Sequence, residues 1–572
     1  MLKSTYKDLN IFDRVLFLLV LGLSFVRLFV AAQLPVWGIV PAAYDDALMV
    51  QDAWNLSNGA WLGPYNEIIL TKGIVYPLAL CIARWSGISI HVLVMASWII
   101  ASVLFVIAVN PLMKKVRYSL ILLMILLLNP AFSNTYIFLR VYRNSITMSE
   151  IMLIFSGAFG IYLRYRHEIK KTFFWVIVLS VGYVALVLSR EDSVWILPFL
   201  IVFTIVTVIL AVKHYRSVKK VLIMGLCLSI PFVSVYSCKS LLSLKNERAY
   251  GKYLVNELSD GAFSKAMKTV YLAGPKENLP WDVTVSREKL EILFENSESL
   301  KDLEDEFEII WSNWDIADRH PGDNEIEDGW FFWAFRDAAA KGGYFTDALS
   351  AERFFDRVDS ELNTAIEQGD IETGYYTPYA LLAPLRKEYI QALPATMIQM
   401  IIMVYGYRNL DIDAAESVLG SSEMNRCFEE MTSCKLYSST LRDETEMASF
   451  NNAYECMNVF SLPFRILAVP IFVISLFGLG VIIIRNIQCL KRKEKHPFWG
   501  RRSLIIVSVI LSQLVFLAGV SYNEIASCET LTAGYLPAGY LMALITEGLA
   551  VIWGAEAFRE LKTGSNNQGQ QL

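Results

Sequence analysis

Long apolar runs separated by short polar turns set the pattern of this chain. A helical membrane span needs about 20 apolar residues. On that measure the runs near 13–33, 88–110, 118–133, 146–163, 172–189, 193–212, 220–238, 461–485, 503–520 and 533–554 predict ten spans. The first run follows Lys3, Lys7 and Arg14, as in a signal peptide, but it is long and more spans come after it. It reads as an uncleaved first helix. Two apolar stretches are too short to cross: Gly73 to Gly87 and Pro394 to Tyr407. The first predicts a juxtamembrane or re-entrant helix, and the second a helix lying against the membrane surface.

The pattern changes between residues 239 and 460. Glu288 to Phe307 is charged, with apolar residues at helical spacing. Trp330 to Ala340 and Ala348 to Gln368 read as further amphipathic helices, with turns at Pro321-Gly322, Gly342-Gly343 and Gly369-Asp370. The expected fold is therefore mainly α: a polytopic helical membrane protein with a large, mostly helical insert. The expected parts are a transmembrane module over 1–238 with an outer loop at 34–87, the insert at 239–460, and C-terminal spans with a tail over 461–572.

Composition agrees: 55% of the 572 residues are hydrophobic and the mean hydropathy is +0.41, which excludes a soluble protein of this size. Charge then gives the orientation. Basic clusters at Lys114 to Arg117, Arg164 to Lys171, Lys213 to Lys220 and Lys491 to Arg502 mark cytoplasmic loops. Both termini fall in the cytoplasm, in a multi-pass cell-membrane protein, and 34–87 and 239–460 fall outside. The 239–460 block carries 21 basic and 40 acidic residues. That acidic balance argues against a nucleic-acid partner. The eight cysteines and five histidines show no CxxC or HxxxH spacing, so no metal site is expected from them. A Cys427–Cys434 disulfide and two unpaired thiols stand as equal alternatives.

The candidate chemistry lies in the outer segments. Asp45 and Asp46 follow the first span. Asp45 suits a helix N-cap or a general base tuned by partial burial. Lys72 sits where the chain turns back to the bilayer, as a snorkelling anchor or a cation for a phosphate. Arg140 and Arg143, in FLRVYRNS, lie outside against the positive-inside bias, as interfacial anchors or phosphate ligands. Arg190-Glu191-Asp192 forms a hairpin tip between two apolar runs, either an internally paired structural tip or, as ionisable groups at such a place suggest, a functional cluster. Arg190 suits an anionic group. Glu191 and Asp192, with Tyr65 and Asn66 of the WLGPYN turn, suit substrate orientation. Asp45, Asp46 and Glu191 have the chemistry to bind a divalent ion, though nothing in the sequence requires one, and no other cofactor is expected.

The order of these parts resembles the GT-C superfamily of membrane glycosyltransferases, in particular the protein O-mannosyltransferase and aminoarabinose transferase branch. The residues that carry the resemblance are Asp45-Asp46 after the first span and Thr71-Lys72-Gly73 at the re-entry, and SREDSVWILP and GWFFWAFRDAAAKGGYF are similar to stretches of bacterial membrane proteins of this general type. As a fold the resemblance covers roughly residues 10–240. It implies transfer of a sugar from a polyprenyl-phosphate carrier to a lipid, glycan or protein acceptor at the outer membrane face, usually with inversion. Asp45 then matches the base and Lys72 the contact to the donor phosphate. Three features depart from the family: Asp46 stands where glutamate is common, Arg140 and Arg143 occupy a loop where some relatives carry an acid, and the insert is large. The acid those relatives carry is then missing unless Glu150 or the Glu191-Asp192 pair substitutes for it. Two other classes fit the same spans: a transporter or flippase of a lipid-linked saccharide, and an assembly protein acting through 239–460.

Overall fold

The computed structural model describes residues 10–166, 169–215, 217–276, 282–315, 324–413, 415–491 and 497–563. Lys3, Lys7, the Pro321-Gly322 turn, the tail after Thr563 and parts of the later basic runs lie outside the described residues. The described chain is helical, with only isolated β-bridges. In chain order the helices are α1 (Ile11–Gln33), α2 (Asp46–Ser57), α3 (Val75–Ser86), α4 (Ile90–Val109), α5 (Val116–Leu127), α6 (Asn144–Arg164), α7 (Ile169–Ser189), α8 (Leu197–His214) and α9 (Val218–Tyr250). Then come α10 (Gly261–Leu272), α11 (Arg287–Asn296), α12 (Glu298–Lys301), α13 (Glu304–Trp314), α14 (Asp328–Lys341), α15 (Ala348–Gln368), α16 (Lys387–Tyr405) and α17 (Ser422–Thr432). The chain closes with α18 (Glu444–Lys491), α19 (Pro497–Ala526) and α20 (Pro537–Thr563).

Nine of the described helices are long and apolar enough to cross a membrane, and the chain is a multi-pass membrane protein. The count differs from the ten expected. The run near 118–133 contains only the 12-residue α5, which ends before Asn129-Pro130. The chain still travels the length of the bundle there. Arg117 pairs with Asp13 beside the start of α1, while Arg140 pairs with Asp46 at the far end. After α5 the path continues through a 3-10 turn (Pro130–Phe132) and a π turn (Thr135–Leu139). Such irregular backbone needs protein around it. Asn129 and Asn134 cap the two turns, Ser133 Oγ donates to the Met457 carbonyl, and Asn134 donates to the Asn409 carbonyl.

Small residues set the tightest crossings. A Cβ at Gly157 or Gly160 of α6 would collide with Leu179 or Trp175 of α7, and one at Gly554 of α20 with the backbone of Gly478 in α18. Close backbone approach of this kind is a common way to pack helices in lipid. The stretch Gly73 to Gly87 holds α3, 12 residues long and too short to span. Pro394 to Tyr405 forms the second half of α16, with Gly406 and Tyr407 just beyond its end, and α16 packs on α19 and α20.

A second core forms outside the bundle. It runs from Leu258 to Ala380 and is rich in aromatic residues, among them Phe263, Phe307, Trp311, Phe335, Phe354 and Phe355. Asp347 caps α15 through two backbone N–H groups, and Gly369 ends it in a left-handed conformation. The segment after α16 rejoins the bundle. Tyr437 N donates to the Val36 carbonyl and Val36 N to the Lys435 carbonyl, both at 2.9 Å, and Val40 N donates to the Val418 carbonyl. Cys427 and Cys434 are both free thiols.

Candidate functional site

The polar cluster forms at one end of the bundle, between the segment after α1, the residues before α6, the α7–α8 turn and α14. Its backbone frame comes first. Trp37 N donates to the Leu139 carbonyl at 3.0 Å and Val141 N to the Trp37 carbonyl at 3.1 Å, which holds Arg140 from both sides. The π turn directly before Arg140 widens the backbone at this point, as π turns often do at functional sites.

Asp45 occupies the N-cap position of α2, yet its side chain accepts no hydrogen bond from the helix. The carboxylate turns instead to two cations. Lys72 Nζ lies 3.2 Å from Oδ1 and Arg140 Nη2 3.2 Å from Oδ2. Asp46, the next residue, is fully buried. Its Oδ1 accepts from Arg140 Nε at 2.7 Å and its Oδ2 from Ile39 N at 2.9 Å. Arg140 therefore joins the two acids. Asp45 is the accessible one: its side chain is 37% exposed, against 10% for Lys72 and 15% for Arg140.

Tyr142 is the hub of the cluster. Its hydroxyl accepts from Lys72 Nζ at 3.1 Å. Lys72, Arg140 and Arg143 lie 5.7, 4.9 and 5.5 Å from its ring centroid, within cation–π range. Arg143 is neutralised by Glu191, 2.6 Å away, and also donates to the Ser189 carbonyl. Arg190 grips Asp192 through two bonds of 2.8 and 2.9 Å and donates to Asn144 Oδ1 at 2.9 Å. The four cations expected to hold a phosphate each face a carboxylate of the chain itself.

The electrostatics follow from that pairing. Burial alone would raise the Asp45 carboxyl, but Lys72 and Arg140 outweigh it and hold it well below the usual carboxylate range. Burial pushes Asp46 up to about 6, against the opposing pull of Arg140 and Ile39 N. Burial disfavours charge on Lys72, yet Tyr142 and Asp45 keep it above its ordinary value. Burial also works against Arg143, and Glu191 outweighs it, so Arg143 too is raised.

The structure brings Asp45, Asp46, Lys72 and Arg140 into one network, with Arg143–Glu191 and Arg190–Asp192 beside it. Tyr65 and Asn66 serve elsewhere. The Tyr65 hydroxyl donates to Glu257 Oε1 at 2.7 Å, and the Asn66 side chain accepts from Ile68 N and Ile69 N to close a turn. Glu150 is buried within α6. Sequence reasoning missed four contributors. Tyr142 lies between two arginines that were singled out. Trp333 of α14 places its ring 5.4 Å from Lys72 Nζ. The Tyr379 hydroxyl donates to the Glu191 carbonyl at 3.3 Å, and Asn256 donates to the Thr71 carbonyl at 2.8 Å. The last three come from the second core or its edge, and no local pattern announces such distant contacts.

No family model matches this chain, and no curated protein matches it. Solved structures similar to it include ArnT from Cupriavidus metallidurans bound to undecaprenyl phosphate. That protein is 10% identical, over 96% of this chain and 78% of that one, with a TM-score of 0.31. The same protein in the apo state is 9% identical, over 95% of this chain and 77% of that one, with a TM-score of 0.32.

Proposed function

We propose that this chain is an integral membrane glycosyltransferase that moves a sugar from a polyprenyl-phosphate donor to an acceptor, with Asp45 as general base. One observation carries the reading: a half-exposed carboxylate that caps nothing and is held between two less exposed cations. In the reaction an acceptor hydroxyl or amine attacks the anomeric carbon. The bond from that carbon to the phosphate oxygen breaks, and the electron pair leaves with the polyprenyl phosphate. Asp45 takes the acceptor proton. Lys72 and the free edge of Arg140 stabilise the charge that develops on the leaving phosphate.

Base and cations cannot serve both purposes while bound to one another. The donor phosphate takes the place of Asp45 at Lys72, and Asp45, released from its cations, becomes basic enough to act. Arg140 stays in place because buried Asp46 keeps hold of it. This exchange makes donor binding precede acceptor activation. Lys114, Arg485, Arg502 and Arg559 lie at the opposite end of the bundle, around Glu556, Glu560 and Tyr118. That asymmetry supports an extracytoplasmic site under the positive-inside bias.

The test is a transfer assay in proteoliposomes with a panel of polyprenyl-phosphate sugars and native membranes as acceptor source. Wild type is expected to release polyprenyl phosphate, and Asp45→Asn to lose at least about a hundredfold in rate, within the usual range for a lost general base, while still binding donor. Donor bound without bond cleavage by wild type would overturn the reading in favour of transport.

A further inference from the structure

The turn that follows α16 is strained. Tyr407 and Asn409 hold φ angles of 46° and 56°, in the left-handed region. Asparagine tolerates that region, but for a residue as bulky as tyrosine it is an outlier. Such strain persists only where the surroundings impose it, and it gathers at functional sites. Here the surroundings are specific. The Tyr407 hydroxyl donates to Glu547 Oε2 of α20, and its ring packs on Phe464 of α18 with centroids 5.3 Å apart. Just beyond the turn, Ile412 N donates to Asn458 Oδ1 of α18 at 2.8 Å.

Two successive carbonyls of the turn serve different elements. That of Arg408 accepts from the Tyr540 hydroxyl of α20 at 2.9 Å, and that of Asn409 accepts from Asn134 Nδ2 at 2.7 Å. Asn134 is buried, and its Oδ1 accepts from Ile137 N at 3.0 Å, at the start of the π turn. Arg140 N then donates back to the Thr135 carbonyl at 2.9 Å and closes that turn. A continuous chain of contacts therefore runs from α18 and α20, through the strained turn and Asn134, to the backbone of Arg140.

Arg140 has the most demanding task in the cluster. Its Nε holds buried Asp46 while its Nη2 lies against Asp45, the edge that the donor phosphate would meet. We propose that Asn134 and the Tyr407–Asn409 turn are positioning residues for Arg140, fixing its backbone so that the guanidinium meets the donor phosphate without leaving Asp46. The inference rests on the glycosyltransferase reading above and adds to that site a support from α16, α18 and α20. The strain follows from the role: a relaxed turn would not aim one carbonyl at Tyr540 and the next at Asn134.

The test is a double-mutant cycle on the full chain in proteoliposomes, with transfer followed at varied donor concentration. Two variants loosen the support at different places. Asn134→Asp keeps the acceptor for Ile137 N and loses the donor to the Asn409 carbonyl. Tyr540→Phe keeps the ring and frees the Arg408 carbonyl. Each is expected to lower kcat/KM for donor about tenfold, short of the roughly hundredfold that a misplacement of about 1 Å can cost, with the acceptor KM unchanged. In an Arg140→Lys background, which keeps a charge beside Asp46, neither should cost more than about twofold further, because the effect runs through the guanidinium. A lower melting temperature with donor kcat/KM unchanged, or equal kinetic losses in both backgrounds, would overturn the inference. If wild type transfers from no donor, the same cycle is read from the Kd for polyprenyl phosphate. Coupling to Arg140 there would leave the support standing and remove the transferase reading, and additive losses there would overturn the support as well.

Discussion

Asp45 and Asp46 are neighbours in the chain and opposites in surroundings. The first lies half exposed between Lys72 and Arg140; the second is sealed in the protein with Arg140 and Ile39 N as partners. Removing Arg140 should therefore cost more than losing a surface ion pair. Arg140→Met leaves a buried carboxylate without its partner, and a loss of about 3–5 kcal/mol is expected, measured by thermal unfolding. Asp52 provides the pH test. It is buried in α2, and burial pushes its carboxyl up to about 8. A raised folded pKa means the native state holds this proton more tightly than the unfolded chain does. The stability Asp52 contributes is full below about pH 4 and is lost as pH rises towards 8. Asp52→Asn should flatten that part of the stability profile, which unfolding curves at pH 5, 7 and 9 would resolve. At this scale much was legible. Asp45 and Lys72 stood out because they share one outer segment, and the structure joins them at 3.2 Å. Arg140 was expected to face a phosphate, and the structure shows it bound to both aspartates. Pairing between residues 95 positions apart leaves no periodic trace in a sequence.

Among the elements, the approach of the Lys72 segment to the end of α7 is the most demanding. Gly73 lies so close to this turn that an added Cβ would collide with the carbonyl oxygens of Leu188 and Ser189. Those residues lead directly into Arg190-Glu191-Asp192. Gly73→Ala should push the two apart, costing about 1–3 kcal/mol as overpacking does. It should also weaken donor binding, read as a higher donor KM, because Lys72 moves with the segment. A stability loss with donor KM unchanged would separate the packing role from the positioning role. The long helices were legible from hydropathy, since length and composition define a span. The tenth passage was not. Apolar content alone does not tell a continuous helix from α5 followed by a 3-10 and a π turn. The difference lies in Asn129, Ser133 and Asn134 finding partners on distant segments.

At the scale of the whole molecule, the second core grips the loop that carries Lys72. Arg336 of α14 donates to the Glu67 carbonyl at 2.7 Å and to Glu257 at 2.6 Å. Glu257 N donates to the Leu70 carbonyl and Asn256 Nδ2 to the Thr71 carbonyl, both at 2.8 Å. Leu70 is held at a φ of 64°, a conformation that non-glycine residues seldom adopt, so the loop is shaped by its partners. Arg336→Met leaves Glu257 with only Lys252 and Tyr65 opposite it. Faster hydrogen exchange at Leu70 to Lys72 is expected, and an unchanged pattern there would show that the grip lies elsewhere. The sequence placed an acidic block beside the membrane but gave no sign of this grip, because a buried Arg–Glu pair 79 residues apart looks like any two surface charges until the fold brings them together.

The neutralisation of Lys72, Arg140, Arg143 and Arg190 by carboxylates of the same chain also bears on selectivity. A bilayer surface presents many anionic headgroups to any exposed cation. Here the resting cluster has little charge to attract them, because Asp45 already lies against Lys72 and Arg140, where the proposed reaction would seat the donor phosphate. A visiting lipid must displace a tethered carboxylate that never diffuses away, so only a ligand with enough further contacts along the site gains entry. On the proposed reaction this tether would act as a gatekeeper against the abundant phospholipids, and turnover should be nearly the same in anionic and zwitterionic membranes.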